Sequence, residues 1–121
     1  KGLGAVHSMS HAVGADQDLK LHHGTLNGVI LPTILRFNKD HVGDKYARIS
    51  RAMGKDESTD LAEEIEKLNE KIGLPNGLAA MGVTEDMIPA LVAHSMTDPS
   101  NMTTPRLPSQ EEWEKLFLEA M

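Results

Sequence analysis

The hydrophobic positions along this chain recur every three or four residues, which is the spacing of one face of an α-helix. Glycine, proline and polar clusters interrupt the pattern, and each interruption predicts the end of a helix. The predicted helices cover residues 3–13, 24–38, 44–53, 60–72, 84–96 and 109–120. No segment alternates with the two-residue period of a strand. The sequence therefore predicts an all-α domain of about six helices.

The second predicted helix, residues 24–38, is apolar almost all round, as is typical of a helix surrounded by other helices. Pro32 lies inside it and has no N–H to donate to the carbonyl of Gly28. Glycine at that position lets the backbone bend with less steric conflict. We therefore expect one central, kinked helix rather than two separate helices.

Capping residues and apolar stripes orient the remaining helices. Ser58 or Thr59 is predicted to cap the fourth helix and Thr84 the fifth, while Ser109 and Glu112 form a capping box before the last. The apolar stripes predict which side chains face the core. These positions are Tyr46, Ile49 and Met53; Leu61, Ile65, Leu68 and Ile72; Met87, Ile88, Leu91 and Val92; and Trp113, Leu116, Phe117 and Ala120.

Composition narrows the classes of function. The chain has 121 residues, a net charge of −6 and no cysteine. Its length allows one domain at most. The acidic balance, without a basic run, argues against nucleic acid or a membrane surface as the main partner, and no apolar run is long enough to cross a bilayer. Because the chain lacks cysteine, an initiator Met and a signal peptide, we expect a cytoplasmic piece of a longer protein.

Four of the six histidines lie close together in the sequence, at His7, His11, His22 and His23. His7 and His11 are four residues apart, so on a helix they share one face. One of the other two can stand at the start of the next helix and fold back toward His7. Imidazole suits Zn or Fe(II), but a catalytic site typically takes three protein ligands and keeps one position open. The residues alone thus allow a partial metal site or histidines that are merely packed or exposed.

Longer stretches of the sequence carry motifs that go beyond helical periodicity. They are VHSMSHAVG at 6–14, HGTLNGVILP at 23–32, RFN at 36–38 and IGLP at 72–75. They continue with MGVTEDMIPAL at 81–91, DPSN at 98–101, TPR at 104–106 and EWEKLFLEA at 112–120. Taken together, in this order, these motifs resemble the helical C-terminal part of the iron-containing (group III) alcohol dehydrogenases. The resemblance implies a dehydroquinate synthase-like helical domain over residues 1–121, with an N-terminal dinucleotide-binding domain absent from this chain.

The resemblance also implies roles for three histidines. His7 and His23 match two histidines that share an Fe(II) or Zn(II) ion with an Asp and a His of an upstream helix. His11 matches a histidine beside the nicotinamide of NAD or NADP, with a role in proton relay or cofactor positioning. The metal would polarise the oxygen of a small alcohol or aldehyde during hydride transfer. The chain alone is then expected to be inactive, and the apolar wall facing the missing domain can drive homo-oligomer formation.

The loop from Ala15 to Lys20 is longer and more polar than the family's, and this leaves a choice between neighbouring histidines. His23 is assigned as the ligand because Gly24 follows it, and His22 is the substitute. Two other functions stay open on the sequence. The chain can be a stand-alone helical interaction module, or a scaffold that keeps the histidines for structure and binds no metal.

Overall fold

The computed structural model describes residues 2–121, and every regular element within that range is helical. The all-α prediction is therefore confirmed. The six α-helices are α1 (Ala5–Gly14), α2 (His23–Asn38), α3 (Lys45–Ala52), α4 (Leu61–Lys71), α5 (Ile88–Thr97) and α6 (Gln110–Glu119). Short 3₁₀ segments lie at Lys39–His41, Ala79–Met81, Glu85–Met87 and Pro99–Thr103. None of the helices in residues 2–121 has the length and apolar character needed to span a membrane.

The longest helix, α2, lies at the centre of the packing, as the sequence predicts. It packs against α1, α4 and α6, while α1 also contacts α5 and α5 contacts α6. Trp113 and Phe117 of α6 are fully buried, together with Met9 of α1 and Leu26 and Ile30 of α2. Large apolar side chains from three helices thus form the core that holds α1 and α2 side by side.

Small buried serines let α1 and α5 approach closely. Ser8 and Ser95 are completely buried, and the Ser95 hydroxyl donates to the carbonyl of Ser8 at 3.3 Å. The Ser8 hydroxyl in turn donates to Asn101 Oδ1 at 2.7 Å. The Asn101 amide donates to the Ser95 carbonyl, also at 2.7 Å. This network fixes the end of α5 and the following 3₁₀ segment against the first helix.

Pro32 lies within a single helix, α2, as predicted, and the carbonyl it leaves without a helical donor has another partner. The Asn69 amide of α4 donates to the Gly28 carbonyl at 2.8 Å. A Cβ on Gly28 would stand 2.7 Å from Leu74 Cδ1, so glycine also allows the chain after α4 to pack close to α2. The proline defect is thereby used to join α2 and α4.

We expect Asn69→Ala to lower the free energy of unfolding by about 1–3 kcal/mol, because the partly buried Gly28 carbonyl would lose its donor. Chemical denaturation followed by the fluorescence of Trp113 measures the change. Asn76→Ala, at an exposed position, is the matched control and should leave stability nearly unchanged. Equal effects of the two substitutions would contradict this account of the proline defect.

Two predicted caps are wrong and one is confirmed. Asp60, not Ser58 or Thr59, caps α4, since its carboxylate accepts from the N–H groups of Ala62 at 3.0 Å and of Glu63 at 3.2 Å. Thr84 makes no side-chain cap, and α5 begins only at Ile88, after a 3₁₀ turn. The capping box at Ser109 and Glu112 is present in full.

The core positions predicted from the apolar stripes of α3 and α4 are partly wrong. Ile49, Leu68 and Ile72 are 43%, 43% and 62% exposed, and Met53 is exposed as well. The reason is that the main helical contact of α3 is with α4 and that of α4 is with α2, so each stripe is covered only in part; Leu61, the first residue of α4, is buried. The stripes of α5 and α6 do face the core, as predicted.

Candidate functional site

Three histidine side chains that are separated in the sequence meet at the start of α2. The ring centroids of His7 and His11 are 5.7 Å apart, and the His23 centroid lies 5.3 Å from each of them. His7 and His11 come from one face of α1, because they are one helical turn apart. His23 is the first residue of α2, which lies alongside α1. The packing of two helices therefore builds the cluster.

The loop between α1 and α2 determines where α2 begins. The Asp16 carboxylate accepts from the backbone N–H groups of Asp18 at 2.9 Å and of Leu19 at 3.3 Å, which closes a turn. Leu19 and Leu21 pack against the core, and Lys20 between them has a φ of 48°, in the left-handed region. The loop is thus anchored by apolar side chains despite its polar sequence.

The two neighbouring histidines have different surroundings. His22 is the N-cap of α2, and its Nδ1 accepts from the backbone N–H of Thr25 at 3.3 Å. The ring of His23 instead stacks on that of His11, with 16° between the ring planes. His23, and not His22, therefore belongs to the cluster with His7.

Two ring nitrogens of the cluster face a common atom. Asn27 Nδ2 lies 3.0 Å from Nε2 of His23 and 3.5 Å from Nε2 of His7. Asn27 is one turn after His23 on α2, and the sequence analysis missed it, although its four-residue spacing from His23 was a usable signal. The arrangement brings two imidazole nitrogens to the same side chain, and imidazole nitrogens in such proximity are candidate ligands of one cation.

Electrostatics favours the neutral form of the imidazole at the centre of the cluster. Burial lowers the pKa of His7 from its usual value, and repulsion from His23 and His11 lowers it further, against an opposing effect of Asp98. A neutral imidazole keeps a lone pair for a metal ion. The surroundings of His7 are therefore suited to a ligand.

The third imidazole is held by a carboxylate from the other end of the chain. His11 Nδ1 donates to Asp98 Oδ2 at 2.9 Å, and the Asp98 side chain is only 7% exposed. Burial raises the pKa of Asp98, but hydrogen bonds from Ser100 and His11 outweigh this effect and lower the pKa below its usual value. Asp98 is thus ionised beside His11, an arrangement that fixes the orientation of the ring. The sequence analysis gave Asp98 no role, since nothing local connects it to His11.

The fit to a metal ion is therefore partial within the part of the chain that the structure describes. His7 and His23 direct nitrogens at one point, whereas His11 is engaged by Asp98. No group of three or more His, Cys, Asp or Glu residues among residues 2–121 is placed to hold an ion. The donor set fits half of a typical coordination sphere, and the remaining ligands would come from outside these residues.

The cluster lies at the surface rather than in a closed pocket. The His23 residue is exposed, and the His11 side chain is 36% exposed. A groove between α2, α4 and the end of the chain lies elsewhere, and none of these histidines lines it. An exposed cluster of this kind is suited to face a second protein domain across a cleft. His41 and His94 are exposed on other elements, away from this cluster.

Comparison with known proteins gives one consistent family. The model of the Fe-containing alcohol dehydrogenase family, C-terminal, matches residues 1–121. The chain is 41% identical over 128 residues to a 4-hydroxybutyrate dehydrogenase of Cupriavidus necator, with 100% of this chain and 34% of that protein covered. It is 33% identical over 128 residues to an NAD-dependent methanol dehydrogenase of Bacillus methanolicus, covering 99% of this chain and 33% of that protein.

The fold agrees with a solved structure of the same kind. A crystal structure of a 1,3-propanediol oxidoreductase superposes with a TM-score of 0.88 at 31% identity, covering 98% of this chain and 33% of that chain. The chain thus spans about a third of the length of the relatives that it matches. Similarity extends over nearly all of this chain and over only that part of each relative.

Proposed function

The chain belongs to the Fe-containing alcohol dehydrogenase family, as its C-terminal part, and from this premise we propose that it is the metal-binding portion of an NAD(P)-dependent alcohol dehydrogenase or aldehyde reductase. The observation that carries the proposal is that the Nε2 atoms of His7 and His23, from two different helices, both lie within 3.5 Å of the same atom, Asn27 Nδ2. The relatives named above act, by their names, on 4-hydroxybutyrate, methanol and 1,3-propanediol. We therefore expect a small alcohol or aldehyde as substrate.

His7 and His23 would hold an Fe(II) or Zn(II) ion through Nε2, together with ligands supplied by a preceding dinucleotide-binding domain. A bound ion of this kind supplies Lewis-acid polarisation of the substrate oxygen. The chain's own contribution is to bring two imidazoles together on rigid helices, α1 and α2. The support for His23 over His22 is that the His22 ring already caps α2.

His11 would lie beside the nicotinamide and take part in proton relay or cofactor positioning. Its Nδ1 proton is donated to Asp98, so the lone pair of the neutral ring is on Nε2. A base of this type must be oriented before it can accept a proton in a fixed direction. Asp98 supplies that orientation, because it is nearly buried and is itself held by the backbone N–H of Ser100 at 2.7 Å.

Removal of the metal tests the proposal. In the protein that joins this chain to its dinucleotide-binding domain, we expect a chelator to abolish NAD(P)-dependent oxidation of small primary alcohols. Fe(II) or Zn(II), added back alone, should restore it, because hydride transfer needs the polarised oxygen. The measurement is the absorbance of the reduced nicotinamide, with metal content determined in the same samples.

A chelator-resistant activity would overturn the metal assignment, and a folded protein with neither metal nor activity would favour the metal-free scaffold. We expect the 121-residue chain alone to be inactive and to bind metal weakly at most. Its lack of cysteine fits a reducing cytoplasm, which we propose as the location of the enzyme.

A further inference from the structure

The side chain of Asn27 lies between the two imidazoles that we assign as ligands. Its Nδ2 is 3.0 Å from Nε2 of His23 and 3.5 Å from Nε2 of His7. Its Oδ1 is buried and has no hydrogen-bond partner among residues 2–121. A primary amide has two N–H groups, so it can donate one to each ring nitrogen. The amide is thus oriented toward the histidines at the cost of an unsatisfied buried acceptor.

The other nitrogen of His23 continues a directed series of hydrogen bonds. His23 Nδ1 lies 3.4 Å from Ser10 Oγ, and the Ser10 hydroxyl lies 3.2 Å from the carbonyl of His7, to which it can only donate. Because Ser10 has a single hydroxyl hydrogen, it can donate to that carbonyl only while accepting from Nδ1–H of His23. The same tautomer of His23 leaves Nε2 unprotonated and free to accept from Asn27. The contact of Asn27 with His23 and the two contacts of Ser10 are therefore all satisfied by the same tautomer of His23, the one protonated at Nδ1.

Building on the proposed function, we propose that Asn27 and Ser10 are positioning residues that hold His23 in the tautomer protonated at Nδ1. Asn27 holds Nε2 of His7 unprotonated in the same way. Both lone pairs then face the Asn27 amide nitrogen, which a cation bound by both rings would displace. The tautomer of a neutral histidine is set by the hydrogen bond that its other nitrogen makes, and Ser10, which contacts Nδ1 of His23, is in the position from which a partner supports the affinity of a metal ligand. Ser10 is completely buried on α1, so the arrangement is built into the packing of α1 against α2.

Nitrogen-15 NMR of the histidine rings in the metal-free protein tests the inference directly. In the wild type we expect Nε2 of both His7 and His23 to be unprotonated. Asn27→Ala should change the tautomer populations of both rings, whereas Ser10→Ala should change that of His23 alone. With Zn²⁺ alone as the probe, measured by competition with a chromophoric chelator, Ser10→Ala should weaken binding by about 10-fold, the lower end of outer-shell effects on metal sites.

Asn69→Ala is the matched control, because it removes a partly buried asparagine amide that donates elsewhere on α2. It should leave both ring tautomers and Zn²⁺ binding unchanged, with folding checked by far-UV circular dichroism. Wild-type rings protonated at Nε2, or tautomers unaffected by Asn27→Ala, would overturn the inference while leaving the proposed function standing. If Asn27→Ala does not fold, the wild-type and Ser10→Ala spectra still test whether His23 has the expected tautomer. Tautomers that follow the expected pattern support the inference even where Zn²⁺ binding proves independent of His7, a result that would reject only the proposed function.

Discussion

We expect His7→Ala and His23→Ala each to lower the affinity for Fe(II) or Zn(II) of the protein that joins this chain to its dinucleotide-binding domain by more than about 100-fold, beyond the range seen when only an outer-shell partner is lost. The reason is that each substitution removes one of the two nitrogens that converge at the start of α2. Metal content of the purified protein and chelator competition measure the loss. Dehydrogenase activity should fall in parallel, since the metal would polarise the substrate oxygen.

His22→Ala provides an unusually close control, because the substituted residue is the immediate neighbour of His23. It removes the N-cap of α2 and should cost about 1 kcal/mol of stability. It should nevertheless leave metal binding in place, since the His22 ring is turned to Thr25. The assignment is reversed if His22→Ala loses the metal and His23→Ala retains it.

Gly77→Ala is expected to destabilise the fold by about 3 kcal/mol or more, the largest effect of any glycine substitution in the chain. Gly77 has a φ of 140°, a conformation that side chains rarely adopt. A Cβ there would lie 2.1 Å from the backbone oxygen of Met121. The backbone cannot easily move away, because the next residue, Leu78, donates to the Ala120 carbonyl at 2.8 Å.

Urea denaturation followed by Trp113 fluorescence measures this loss. Gly54→Ala is the control, since Gly54 has a φ of 74° but open space around it. It should cost only the left-handed backbone penalty of about 1–2 kcal/mol. Similar losses for the two variants would show that backbone conformation alone, and not the contact with Met121, makes glycine necessary at position 77.

The helices could be predicted from the sequence because each one depends on neighbouring residues. The three-to-four spacing gave the six helices, and the pattern of Ser109 and Glu112 gave the last helix start correctly. Where a cap had several candidates close together, as at Ser58, Thr59 and Asp60, local reasoning chose wrongly. All three residue types can accept from a helix N-terminus, and the choice among them depends on where the first turn forms.

Burial was predicted well only where a helix has partners on its apolar side. On α6, Trp113 and Phe117 are fully buried, because α5 and α2 cover them. On α4, Leu68 and Ile72 have the same apolar character and stay exposed. An apolar stripe shows which side chains of a helix can be buried, whereas the neighbouring helices determine which of them are buried.

The sequence by itself determined the helical content and the face that His7 and His11 share, because both follow from the period of the α-helix. Only the tertiary structure decided that His23 rather than His22 joins them, that Asn27 stands between two ring nitrogens, and that Asp98 holds His11. Asp98 is 87 residues from His11 along the chain. Such pairs are brought together by the packing of α1 against α2 and α5, which is a property of the whole core and is encoded in no single segment.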